Sequence, residues 1–360
     1  MARNVRIATF NCENLFSRSK VLNLNSAEDT GALLARISEL ERLLQKPSYD
    51  APDKAEILRL SKALSTYIEI TEDRGRLFTG TGTRRRVTAS GRDSWDGGIA
   101  FRRTSFKERQ RAATAKVIAT MKADIQCLVE VEDRAAIDAF SSQMLRSAYP
   151  YNLVIDGFDP RGIDVGLMTK FPMQSIRTHI FDKIGRNRVF SRDCLEVEQT
   201  IGSVTVHLLI NHFKSQGYGQ AGDNDAKRRR QATAVRDIVA SRFDLSKDLV
   251  VAAGDFNDSP DRPPQTLAPL LTMPGLTDVL ALQFPDPLDR WTYHYRSNEQ
   301  IDFILVSDAL KQKFVRAGVE RRGMPDLAKH TRSNEVAFDG ITGTTTAASD
   351  HAAVWADFRI

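Results

Sequence analysis

With 360 residues, 41% of them hydrophobic and 27% charged, the chain can bury a large core as one big α/β domain or two smaller ones, in the ordinary range for a soluble enzyme. No apolar run approaches the roughly 18–20 residues of a membrane helix, and the N-terminus lacks the apolar core and cleavage site of a signal peptide. The formal net charge of +5 is unevenly spread, because Arg74 to Arg111 holds ten arginines and one lysine against Asp93, Asp96 and Glu108, the pattern of a segment facing a polyanion or of a solvated loop.

Val5–Phe10 reads as a short strand ending at polar Asn11. From Ser26, a candidate N-cap, Leu33, Ile37, Leu40 and Leu44 recur at spacings of four, three and four. Pro47-Ser48-Tyr49-Asp50 breaks that period, which resumes after Pro52 at Ile57, Leu60, Leu64 and Tyr67. The two runs predict a helical hairpin. The Gly/Thr/Arg-rich stretch Gly75 to Arg92 has no usable period and is expected to be a mobile loop.

From Phe106 onward helices and strands alternate. Glu108–Met121 reads as a helix with Ala112, Ala115, Ile118 and Ala119 on its buried side, and Asp124–Val129 as a strand ending at Glu130. Further strands are expected at Val165–Thr169, Cys194–Gln199, Ser203–Ile210, Leu249–Ala253, Ile301–Val306 and Ala352–Phe358, with a helix over Asp225–Phe243. Leu249–Ala253 is apolar throughout, as a strand covered on both faces should be. Cys12, Cys127 and Cys194 are too few and too scattered for a disulfide framework or a zinc site, which points to reduced thiols and a cytoplasmic protein.

Polar residues gather where these strands end: Asn11, Glu130, His212, Asp255 with Asn257, and Asp350 with His351, with Asp302 just inside its strand. Each alone could be a turn or cap residue. Together they sit in Thr9-Phe10-Asn11-Cys12-Glu13-Asn14-Leu15, Leu128-Val129-Glu130-Val131, Asn211-His212-Phe213-Lys214-Ser215, Gly254-Asp255-Phe256-Asn257, Gln300-Ile301-Asp302-Phe303-Ile304-Leu305 and Ser349-Asp350-His351.

In that order the six blocks resemble the endonuclease/exonuclease/phosphatase superfamily, which includes DNase I-like nucleases, apurinic-site endonucleases, inositol-polyphosphate phosphatases and sphingomyelinases. The resemblance covers residues 4–17 and roughly 105–360. It implies a four-layer α/β sandwich, two mixed β-sheets packed face to face with helices outside, forming a single domain over 1–360 with an insertion at 18–104 made of the helical hairpin and the basic loop.

The resemblance also implies the chemistry. Hydrolysing a phosphodiester requires neutralising phosphoryl charge, activating a water and stabilising the leaving alkoxide, and Mg²⁺ (with Mn²⁺ as a substitute) suits an oxygen-rich site with few carboxylates. Glu130 matches the main metal ligand of the family, and Asn11 and Asp350 match residues that complete its shell. Asp255 and Asn257 match residues that position nucleophile and phosphate. His351 matches a phosphate-contacting or proton-exchanging histidine oriented by Asp302, and His212 a second histidine at the leaving oxygen or the phosphate. The sequence does not choose the general base among them. Arg192, in Phe190-Ser191-Arg192-Asp193, resembles a phosphate-binding arginine, with Asp and Cys where the family has Glu and Pro. Arg161-Gly162-Ile163-Asp164 borders the same region without a family role.

The expected activity is cleavage of nucleic acid, DNA above all, with little sequence preference. The basic segment and Lys227-Arg228-Arg229-Arg230 favour it, and no sequence-reading module is present. The alternative is a phosphatase or phosphodiesterase acting on a phosphoinositide, sphingomyelin or another small phosphoester. A catalytically silent binding protein fits least, because no catalytic block is missing. No membrane anchor is expected.

Overall fold

The computed structural model describes residues 3–15, 20–22, 27–102, 108–159, 161–217 and 220–360. The chain divides into two compact units, residues 1–16 with 106–360 and residues 17–105. In chain order, β1 (Asn4–Leu15) opens the larger unit, while α1 (Ala27–Leu44), α2 (Ala51–Ala63), β2 (Ile68–Gly75) and β3 (Trp95–Phe101) belong to the smaller. The larger unit resumes with α3 (Glu108–Met121), β4 (Ile125–Val131), α4 (Arg134–Met144), β5 (Tyr151–Val154), β6 (Asp164–Thr169), β7 (Met173–Arg177) and β8 (Cys194–Ile201). It continues through β9 (Val204–His212), α5 (Ala221–Arg242), β10 (Leu249–Asp255), β11 (Leu276–Asp278), β12 (Asp302–Ser307), β13 (Phe314–Glu320) and β14 (Ala353–Arg359).

Two six-stranded mixed sheets build the larger unit, in the orders β13-β14-β1-β4-β6-β5 and β11-β12-β10-β9-β8-β7. Each has one parallel pair at its centre, β1 with β4 and β9 with β10, flanked by antiparallel neighbours. Alternating side chains turn one face of each sheet inward, where Val5, Ile7, Ile125 and Leu167 meet Leu195, Leu208, Val251 and Ile304 in one cluster. The outer face of the first sheet carries Phe10, Leu128 and Met168 against Ile118 of α3 and Phe140 of α4. That of the second carries Leu209, Val250 and Phe303 against Ala232, Val235 and Val239 of α5. Helix, sheet, sheet and helix form the expected four-layer α/β sandwich. Every residue of β10 is buried, which is why its sequence is apolar on both faces.

In the smaller unit Ile37, Leu40 and Leu44 of α1 pack with Ile57 and Leu60 of α2 and with Leu64. The break at Pro47–Asp50 starts α2: Asp50 caps it, accepting from the Asp53 amide at 2.8 Å while the Asp53 carboxylate accepts from the Asp50 amide. Ser26 lies outside the described residues. The expected mobile loop over Gly75–Arg92 is corrected in part: within it Phe78–Thr79 pairs antiparallel with Arg86–Val87, and β2 and β3 pair on either side of it. β2 and β3 escaped prediction because β2 exposes most of its side chains and β3 contains Gly97-Gly98, so neither carries an apolar alternation. Trp95 anchors the ribbon from below, donating to the Tyr49 hydroxyl at 3.0 Å. Strands β5, β7, β11 and β13 and helix α4 were likewise not foreseen. Among the described residues no helix is long and apolar enough to cross a membrane.

A buried ion cluster makes stability depend on pH. His179 bonds Asp182 through Nδ1 at 2.8 Å and Glu196 through Nε2 at 3.3 Å. Burial disfavours the charged ring, but Glu196 and Asp182 outweigh it and raise its pKa above the ordinary value of 6.5. Its contribution is therefore complete below the unfolded value and fades as pH climbs through the raised folded one. The melting-temperature gap between wild type and His179→Gln is expected to narrow from about pH 5.5 to about pH 8.5. A gap that widens over that range contradicts the assignment.

Candidate active site

Strand direction explains why distant residues meet. The parallel pairs bring the C-terminal ends of β1 and β4, and of β9 and β10, to one side of their sheets. The antiparallel neighbours β12 and β14 start at that same side. Glu130, His212 and Asp255 thus lie at or next to strand ends, Asn11 lies where the β1–β4 register breaks, Asp302 opens β12 and His351 precedes β14. His212 pairs in register with Asp255, and Asp255 with Asp302. Gly254 permits this spacing. Its φ is +135°, and a Cβ there would fall 1.9 Å from the Asn211 carbonyl oxygen of β9.

Asp255, 1% exposed, sits in a cage of donors. Its Oδ1 accepts from the Asn257 amide at 2.8 Å, and its Oδ2 from the side-chain amides of Asn257 at 2.9 Å and Asn11 at 3.0 Å. The second Asn257 amide contact, to the Phe213 carbonyl at 3.1 Å, ties the His212 loop to the same cage. His351 bonds buried Asp302 through Nδ1 at 2.9 Å, leaving Nε2 3.9 Å from Asp255. His212 Nε2 lies 3.6 Å from Asp255 and 3.8 Å from Glu130.

The two histidines have opposite proton affinities. Burial presses His351 down, but Asp302 and Asp255 outweigh it and hold the ring well above its ordinary pKa. His212 is driven well below its ordinary value by burial, reinforced by Arg192 and His351, and its Nδ1 has no partner among the described residues. Burial likewise pushes Asp255 up to about 7 against the pull of His351.

Four further carboxylates, Glu13, Glu130, Glu299 and Asp350, line the cleft beside these groups. Burial raises Glu13 to about 7, with Asp350 and Glu130 adding to the shift, and burial also raises Glu130. Glu13, Glu130 and Asn257 all adopt left-handed backbone conformations, with φ of 46°, 60° and 54°. Such strain in non-glycine residues concentrates where structure holds a functional geometry. The cleft encloses about 860 Å³, with Arg161, Arg262, Arg296, Tyr293 and Tyr295 on its remaining walls.

Eight of the residues singled out in the sequence, Asn11, Glu130, His212, Asp255, Asn257, Asp302, Asp350 and His351, meet at this one place. Arg192 does not line the cleft. It is 2% exposed and committed to Asp159 at 2.9 Å and to the Phe213 carbonyl at 2.8 Å. The guanidinium groups that line the cleft belong to Arg161, whose stretch had no assigned role, and to Arg262 and Arg296. Arg228 overturns part of the basic-cluster reading, because it is fully buried while Arg229 and Arg230 are exposed. The helical spacing of Asn224, Arg228, Ala232, Val235 and Val239 could have placed it inside. Glu13 was named only as part of its block. Nothing in the residue pattern separates it from Glu132 and Asp133, half-buried acids that follow β4, the second of which caps α4.

The Endonuclease/Exonuclease/phosphatase family matches residues 88–272, just over half of the chain. No curated protein sequence matches. Among solved structures, D. rerio TDP2 complexed with single strand DNA product is 16% identical, with a TM-score of 0.51 over 70% of this chain and 92% of that one. Truncated Caenorhabditis elegans TDP2 is 22% identical, with a TM-score of 0.49 over 71% and 92%. Sphingomyelinase C from Streptomyces griseocarneus is 18% identical, with a TM-score of 0.47 over 69% and 92%. At such identities the likeness bears on the fold alone, and of the three the D. rerio structure carries it.

Proposed function

Because the chain belongs to the endonuclease/exonuclease/phosphatase family, we propose that it is a divalent-metal-dependent phosphodiester hydrolase, and within that class a nuclease that cleaves DNA with little sequence preference. The observation that carries this reading is the meeting, in one cleft, of the buried His351–Asp302 pair, the caged Asp255 and the carboxylates Glu13, Glu130 and Asp350.

The donor set fits Mg²⁺. Glu13, Glu130 and Asp350 are hard oxygen ligands that repel one another, so a bound cation relieves their crowding. Glu130, Asn11 and Asp350 would hold the ion, with Glu13 beside them. When bound, it supplies neutralisation of phosphoryl charge and a more acidic water. Asp255, Asp302 and His351 also place ligand-type atoms within 4.8 Å of one another. We assign them to proton handling instead, since Nδ1 of His351 is already engaged by Asp302.

In this reading Asp255 and Asn257 orient the attacking water, and Asp302 fixes the His351 ring with Nε2 toward the phosphate. His212 contacts the leaving oxygen. Arg161 contributes charge at the phosphate, the task first expected of Arg192. DNA as substrate is supported by the arginines Arg161, Arg262 and Arg296 on the cleft walls. The fold does not choose a substrate. A small or lipid phosphoester is the second reading, favoured by Phe158, Phe181 and Ile184, which are 45%, 66% and 52% exposed.

The protein is expected to nick supercoiled plasmid with Mg²⁺ or Mn²⁺, to stop on addition of EDTA and to recover when the metal is restored in excess. Inactivity on DNA and RNA alongside turnover of phosphoinositide or sphingomyelin vesicles would establish the second reading. Metal-independent cleavage would remove the metal from both.

A further inference from the structure

The smaller unit holds a cleft of about 710 Å³ among whose walls are Arg76, Arg84, Arg85, Arg86, Glu72 and the Gly80–Gly82 turn. We propose that this cleft is a separate docking site for the phosphate backbone of DNA. The inference rests on the reading of the chain as a DNA-cleaving hydrolase and adds a second point of attachment, built by the inserted unit.

Charge balance is the first argument. All four arginines are exposed, and among the described residues none of Arg76, Arg84 and Arg86 is paired with a carboxylate. Other arginines of the same unit are paired, Arg92 with Asp96 and Arg59 with Glu56. Glu72 is the carboxylate on these walls, its Oε1 accepting from the main-chain amides of Leu77 and Phe78 at 2.8 and 2.9 Å. Its single negative charge against four guanidinium groups leaves the cleft with a formal excess of three positive charges.

Preorganisation is the second argument. Phe78–Thr79 and Arg86–Val87 form a short ribbon closed by a glycine-rich turn. Gly80 has φ of +72°, and a Cβ there would fall 2.4 Å from the Arg84 carbonyl oxygen, so the turn is wound as only glycine allows. The Arg85 guanidinium stacks 3.9 Å from the centre of the buried Phe78 ring, which holds it in place. A planar, permanently charged group held in place beside a ribbon that presents further arginines suits phosphate oxygens. No exposed aromatic lines the cleft for base stacking, so the contact reads charge rather than sequence.

The test is anisotropy of a fluorescent DNA duplex titrated with full-length protein in EDTA, where cleavage does not interfere. Arg84→Ala with Arg86→Ala is expected to weaken binding by about tenfold and to reduce the slope of log K against log salt by about two, close to one per lost phosphate contact. The matching double lysine variant should retain most of the binding, and Arg59→Ala should change nothing. Unaltered affinity and slope in the double alanine variant overturn the proposal. So does a defect confined to phosphoinositide vesicles, which would make the partner a membrane. Loss of duplex binding in a wild-type background that never cleaves DNA supports this site while refuting the nuclease reading.

Discussion

Replacing His351 by alanine is expected to reduce phosphodiester turnover by about 10²–10⁴-fold, the range of a lost proton-transfer group. The same change strips Asp302 of its imidazole. Asp302 is fully buried, and its other oxygen has no partner among the described residues. A stranded buried carboxylate costs stability as well as activity. The double variant His351→Ala with Asp302→Asn separates the two effects, since the amide removes the unpaired charge. Its melting temperature should recover toward that of wild type while turnover stays low. If turnover recovers with stability, His351 is a structural histidine and the proposed chemistry fails.

How far the sequence could be read follows from where each side chain lies. The blocks of the candidate site were legible as short motifs beside strand ends, and the parallel pairs β1–β4 and β9–β10 gather them on one side of their sheets. The sandwich was legible where strands are central and apolar, as in β10. It was not at β5 and β7, where several side chains face solvent and the alternation dissolves. Glu13 escaped because its place in the cleft depends on a left-handed turn after Asn11, where the Asn11 Oδ1 accepts from the Glu13 amide at 3.0 Å. That turn also lets the Glu13 carboxylate accept from the Asp350 amide at 3.2 Å, a contact across almost the whole chain. The arginines misled for a related reason. A basic run looks the same whether it meets solvent or pins two loops together, and only burial distinguishes Arg228 from its neighbours.

That distinction has a measurable consequence. Arg228 pairs with Asp225 and lies 3.6 Å from buried Asp258, while its Nη1 donates to the Lys214 carbonyl at 3.1 Å. One guanidinium therefore joins α5 to the loop after His212 and to the loop after Asp255. Arg228→Ala removes one partner of a buried ion pair, a change that costs about 3–5 kcal/mol. The lower end is expected, since Asp258 keeps Thr266 and Arg262 as donors. The melting transition of the larger unit should fall by about 5–10 °C, and turnover should drop with it, because both loops carry the proposed machinery. Arg229→Ala and Arg230→Ala, on the exposed side of α5, should shift stability by no more than about 0.5 kcal/mol. Were Arg228→Ala to match those two in melting temperature and differ only in affinity for DNA, the guanidinium would face the nucleic acid, and the burial argued from α5 would be wrong.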